Sequence, residues 1–296
     1  MAEGLSDRGI LSSLRYLFAD IIGEDDDTPP FLPAGLPEAV TAVASDAIHL
    51  LIDYQGASYA QLYVDRLKRF VGRNGVDDAM LSDIARLMAA RMSSQDPIRI
   101  ARLKLAERYE SSRAPANSSD ICKFRIDELV GALPAIVAEY MLDALDWAGW
   151  AHKPVSIRFS TTSRWGIRRL KIEAGLKRWR RYSVRYAKER LWVERWLHMI
   201  GRSLDKQPAA AAEIVQTATM IRSYGEVYRQ GMADWNAIID GLVKPTFDGA
   251  LALSGLGGAV AEARAAALPD PQQAALKRTI AEIRARVLAG GSSAAA

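Results

Sequence analysis

Apolar residues recur at three- and four-residue steps along most of the chain, and strict alternation appears in two short places, which predicts a mainly helical protein. Ile10, Leu14, Leu17, Phe18 and Ile21 fall on one face between Arg8 and Ile22, the spacing of a short amphipathic helix. Glu24-Asp25-Asp26-Asp27, followed by Thr28-Pro29-Pro30, reads as an acidic linker. Pro37 fits a first helical turn and opens a pattern that runs to about Phe70, with Gly56 as an internal interruption and Gly72 to Gly75 as its stop. Asp77 to Ser93 reads as the next helix, and Asp96-Pro97 starts one that reaches about Arg108. Such short connections are those of an antiparallel bundle.

Residues 111 to 120 are loop-like, and Ile121 to Ile126 alternate as in a strand. A helical pattern divided at Pro134 then runs to Trp147, and Val155 to Ser160 alternate again, so the two short strands can pair into a ribbon. From about Trp165 to Ser203 the helical period returns, weakened at Gly166 and Gly175. Further helices are expected from Pro208 to Ser223, from Glu226 to Leu242 with a stop at Lys244-Pro245, and over Ala-rich stretches at 247 to 266 and 271 to 288. The fold class is therefore mainly α, a multi-helix bundle with at most a small two-stranded β element. Its expected divisions are residues 1–35 as helix plus linker, 36–245 as the main helical domain, 246–290 as C-terminal Ala-rich helices, and 291–296 as a disordered tail.

Composition narrows the class of function. With 296 residues and 49% apolar content the chain can bury a large core, and no apolar run approaches the roughly 20 residues of a membrane span. A basic start, a continuous apolar stretch and a cleavage site are not seen in the first residues, so the expected location is the cytoplasm. One cysteine, Cys122, can form no internal disulfide and cannot alone hold an iron–sulfur cluster, which usually takes four thiolates. His49, His152 and His198 have no metal-ligand spacing around them and read as structural. Gly255-Leu256-Gly257-Gly258 lacks the lysine and the preceding strand of a phosphate loop, and reads as close helix packing. No catalytic residue is assigned.

Charge is unevenly placed. The net charge is +4, yet residues 164 to 190 hold eleven Lys or Arg against Glu173 and Glu189. Arginine and aromatic residues interleave here, in Arg168, Arg169, Arg178, Trp179 and Arg181, and the aromatic series continues to Trp192 and Trp196. Guanidinium groups stack on indoles and fork to carboxylates or phosphates, so these positions, with Arg222 and Tyr224 further on, are candidate anion or partner contacts. Three readings stay open for the band: core aromatics with a solvated arginine face, a partner-subunit surface, or a site for a phosphate-bearing ligand or nucleic acid.

Several phrases also fall into an order. Asp53-Tyr54-Gln55-Gly56-Ala57-Ser58-Tyr59-Ala60 with Tyr63 and Arg66-Leu67 comes first, then Met92-Ser93-Ser94-Gln95-Asp96-Pro97-Ile98-Arg99-Ile100-Ala101. Gly175 to Arg181 with Arg185-Tyr186-Ala187, then Glu194-Arg195-Trp196-Leu197 and Arg222-Ser223-Tyr224-Gly225 follow. Over about residues 36 to 245 this set resembles the helical C-terminal region, of unassigned function, of indolepyruvate oxidoreductase beta-subunit proteins. The resemblance implies enzymes that oxidatively decarboxylate arylpyruvates to acyl-CoA with thiamine diphosphate, iron–sulfur clusters, CoA and an electron acceptor. The N-terminal catalytic domain of that family does not precede the helical region here. The cofactors are accordingly expected on partner subunits, none in this chain, which is read as an accessory subunit or domain supporting assembly or positioning. The partners are then the catalytic subunits of a 2-oxoacid oxidoreductase; the alternative is a stand-alone anion- or nucleic-acid-binding helical protein.

Overall fold

The architecture rests on a computed structural model that describes residues 29–93, 119–131, 135–160, 183–221, 225–267 and 270–293. The expected helices at 8–22 and 96–108, the acidic linker before residue 29 and the first part of the basic band lie outside these residues.

Pro37 leads into α1 (Glu38–Tyr54), whose buried Val40, Ala44, Ala47, Ile48 and Leu51 form one stripe. The single long helix expected to Phe70 is two helices, because Gly56 adopts φ 125°, a conformation that favours glycine, and reverses the chain into α2 (Ala57–Leu67). α3 (Asp78–Met92) starts as read: the Asp77 carboxylate accepts from the Met80 N–H at 2.7 Å. Asp77→Ala is expected to cost about 1 kcal/mol in urea denaturation, with an unchanged slope.

The two alternating stretches do pair. β1 (Ser119–Arg125) and β2 (Pro154–Ser160) run antiparallel, in register from Ser119 opposite Ser160 to Arg125 opposite Pro154. Between them lie α4 (Ile126–Val130) and α5 (Ala135–Trp147), while the division expected at Pro134 falls outside the described residues. At the connected end of the ribbon Ile126 N donates to Lys153 O and Asp127 N to Ala151 O, which ties the turn after α5 back to the start of α4.

α6 (Val184–Lys206) is the long central helix, capped by Ser183, whose hydroxyl accepts from Tyr186 N. After it the sequence predicts one helix from 208 to 223, and the chain instead forms a 3-10 turn at Pro208–Ala210, α7 (Ala211–Gln216) and a second 3-10 turn at Thr217–Met220. Thr217 and Thr219 hydroxyls bond carbonyls three residues back, which tightens this last turn. α8 (Gly225–Ile238) follows.

The expected stop at Lys244-Pro245 does not occur. The helix opens into a π turn at Ile239–Val243 and continues as α9 (Lys244–Phe247). Proline lacks an N–H and crowds the carbonyl of the turn before it, and widening that turn accommodates the ring without ending the helix. α10 (Leu256–Ala265) and α11 (Ala274–Ser293) complete the order. α11 runs through Ser293, beyond the expected end, so the expected tail begins as helix.

One apolar cluster joins α1, α2, α3 and α6 to the C-terminal helices, through Leu256, Val260, Ala263, Leu276, Ile280 and Ile283. The Ala-rich helices are thus part of the same apolar cluster. Gly257 explains the close approach: a Cβ there would lie 3.3 Å from Ala209 O and from Ala210 Cα. Among the described residues no helix is long and apolar enough to cross a membrane.

Candidate functional site

The described ends of the quoted phrases meet in space. Where α1 turns into α2, Tyr54 and Tyr59 face each other with ring centroids 6.0 Å apart, and Tyr59 is 5.6 Å from Tyr186 at the start of α6. The Tyr59 hydroxyl donates to Met92 O at 3.0 Å, so the first phrase is fastened to the second. Glu194 of α6 reaches the other end of α2, accepting from Arg66 Nε at 2.9 Å and Arg69 Nη1 at 2.7 Å.

At the centre stands an ion pair. Arg91, next to last in α3, is buried with Glu189 of α6, and its Nη2 donates to both carboxylate oxygens at 3.1 and 2.9 Å. Nη1 donates to Ile221 O at 3.0 Å, a carbonyl freed because the chain leaves its 3-10 turn in extended conformation there. The guanidinium carbon lies 5.5 Å from the Trp192 ring and 5.6 Å from Tyr228. Aromatic faces over a guanidinium partly replace the water it lost.

Trp192 continues into an indole cluster, stacked on Trp196 at 5.9 Å and edge-on to Trp235 at 5.1 Å. Trp196 Nε1 donates to Ile214 O and Trp235 Nε1 to Thr217 Oγ1. Trp196 is therefore a core residue: it is fully buried, and the candidate contact role read from the sequence is corrected. Its interleaved position in the band hid this, because aromatic periodicity marks a face without saying what covers it. Arg168, Arg169, Arg178, Trp179, Arg181, Arg222 and Tyr224 lie outside the described residues.

Chemically the cluster is a clamp. Arg91 spends its charge on Glu189, so it offers no open anion receptor. Burial, with Tyr186 and Tyr54 adding to it, pushes the Tyr59 phenol well above its ordinary range, and burial pushes Tyr63 up likewise. Both stay neutral donors near neutral pH, Tyr63 to the Ala85 carbonyl. Among the described residues the Gln55 amide and the Trp192 N–H are sealed from solvent and meet no polar partner.

Glu194 shows a pH signature. Burial, the largest single influence, pushes its carboxyl up, but the hydrogen bond from Arg69 and the charge and hydrogen bond of Arg66 together hold it below the ordinary value. A carboxyl lowered in the folded state stabilises the protein above its unfolded pKa, and that contribution is lost as pH falls through the folded one. Glu194→Gln is expected to flatten the acid limb of a plot of melting temperature against pH, below about pH 4.5.

Among the described residues no three His, Cys, Asp or Glu side chains come together as a metal group. His49 and His198 are exposed, and His152 lies 3.3 Å from Asp127, which also accepts from Arg125.

A second region stands apart from the clamp. On α5 and the turn after it, Tyr140 is 78% exposed, Met141 41%, Trp147 92% and Trp150 54%. Lys153 Nζ sits 4.6 Å over the Trp150 ring. Side chains of this size are seldom left in water together at one place.

Residues 40–241 match a family model described as a family of unknown function (DUF6537). No curated protein and no solved structure matches the chain.

Proposed function

The chain belongs to this family of unknown function, DUF6537, since the match spans more than half of it, and from that premise we propose that it works as a docking component. It is an accessory helical subunit or domain of an indolepyruvate or arylpyruvate oxidoreductase complex. It supports assembly, or the positioning of CoA or substrate, while thiamine diphosphate and the iron–sulfur cluster sit on partner subunits. The exposed aromatic face of α5 is the observation that carries the docking role. The enzyme class rests on the resemblance carried by the ordered phrases from Asp53 to Gly225.

Tagged full-length chain, purified from its host at moderate salt and analysed by mass spectrometry, tests the reading. Thiamine-dependent 2-oxoacid oxidoreductase subunits are expected in stoichiometric amount. Salt-sensitive nucleic acid in their place would overturn it in favour of the stand-alone anion binder. CoA positioning rests on Arg168, Arg169, Arg178 and Arg181, and replacing all four with glutamine is expected to lower the CoA affinity of the assembled complex; an unchanged affinity removes CoA from the role.

A further inference from the structure

The chemistry of the α5 face says what kind of partner it takes. Among the described residues, four of the eight large apolar side chains left in water lie between residues 140 and 150. Tyr140, Ala144 and Trp147 are helical neighbours, as are Met141, Ala144 and Ala148, so aromatic ends flank a notch made by exposed alanines. A helix laid across the notch could approach closely and be gripped at both ends.

The charge along α5 itself has one sign, and Lys153 in the turn after it is a cation at the edge of the stripe. Residues 126 to 151 carry five carboxylates, Asp127, Glu128, Glu139, Asp143 and Asp146, and neither lysine nor arginine, within a chain of net charge +4. Asp143 and Asp146 are exposed, and neither is in an ion pair among the described residues. Nucleic acid and anionic lipid surfaces are repelled by such a face. A second copy is disfavoured too, because antiparallel crossing of two α5 helices near Ala144 sets Asp143 of one against Asp146 of the other. What complements the face is a cationic polypeptide, whose Lys or Arg side chains reach the two aspartates and stack on the indoles as Lys153 already does on Trp150.

We propose that the exposed face of α5, with Trp150, is the docking site for a basic amphipathic helix of a partner protein. This rests on the docking role proposed above and adds the chemistry of the contact.

A fluorescein-labelled peptide of roughly eighteen residues, about five helical turns of Leu and Lys in amphipathic pattern, serves as the probe. Its counterpart carries Glu for every Lys. Fluorescence anisotropy with the full chain is expected to show the Lys peptide bound at least about tenfold more tightly than the Glu peptide. Trp147→Ser with Trp150→Ser is expected to weaken the Lys peptide about tenfold, and Asp143→Lys with Asp146→Lys to reverse the preference. All four side chains are exposed, and unchanged circular dichroism establishes that the variants fold. Equal binding of the two peptides, or the same preference after the aspartates are reversed, overturns the proposal. So does a native dimer in light scattering that Trp147→Ser dissolves, since the occupant is then a second copy.

The two readings fail separately. Oxidoreductase subunits retained by the chain without a Lys-peptide preference would leave the docking role and remove this contact. The expected peptide result without those subunits would keep the basic partner and remove the enzyme assignment.

Discussion

Glu189→Ala is expected to destabilise the protein by about 3–5 kcal/mol, more than removal of any exposed ion pair, because it leaves the Arg91 guanidinium charged, buried and without its carboxylate. A contrast with Arg202–Asp248 makes the point: there the carboxylate stands in water, and solvent screening leaves the pair little net effect on stability. The expected cost comes from the stranded charge and does not measure the strength of the pair. Arg91→Met combined with Glu189→Leu should therefore recover most of the loss, since no charge then remains in the apolar setting. Urea denaturation of the two single variants and the double variant checks this. A double variant no better than the singles would mean that the hydrogen bond to Ile221 O and the rings of Trp192 and Tyr228 hold Arg91 for its shape as much as its charge.

Gly231→Ala is the second large effect, expected at about 3 kcal/mol or more. α8 passes the end of the 3-10 turn so closely that a Cβ on Gly231 would stand 2.3 Å from Met220 O and 3.1 Å from Ile221 Cα. Both obstacles are backbone, which cannot rotate away as a side chain can. The methyl must push α8 off the segment whose next carbonyl, Ile221 O, accepts from Arg91. Two signals should move together: a lower melting temperature and a loss of the Trp192 and Trp235 near-ultraviolet signal, as the indoles lose their fixed neighbours. A stable protein with an unchanged spectrum would show that the close approach relaxes without cost.

Local sequence carried much of the helical frame. Asp77 announced α3 because a cap is a contact within one turn, and the alternations around Cys122 and Ile157 announced the ribbon because strand period is local too. Gly56 was visible as an interruption, but nothing local says that it takes φ 125° and divides the helix. The break-up of 208–223 and the passage through Pro245 were hidden for another reason: both depend on which carbonyl each residue reaches, a matter of turn width that hydrophobic period does not encode.

The clamp was harder still. Arg91 lies between Met88 and Met92 on the apolar face of its helix, and Glu189 is one of two acids in a basic band; each is an oddity in its own neighbourhood, and 98 positions separate them. An ionisable residue on the wrong face is the signal that could have paired them. Trp196 and Trp147 make the complementary case. Both are tryptophans in helical patterns, yet one is fully buried and the other 92% exposed. Periodicity describes a face, and only packing decides whether that face meets protein or water.

The π turn at Ile239–Val243 sets a phase. It is equivalent to one extra residue wound into the helix, so tightening it to α geometry with every residue kept would rotate everything downstream by about 100° about the axis. Phe247, now buried under Arg202, would swing out, and Gly241, whose bare Cα lies against Ile280 of α11, would turn away from it. The seating of the last two helices thus hangs on one backbone step, which makes the length of this turn, more than its composition, the quantity that the C-terminal third of the fold holds fixed.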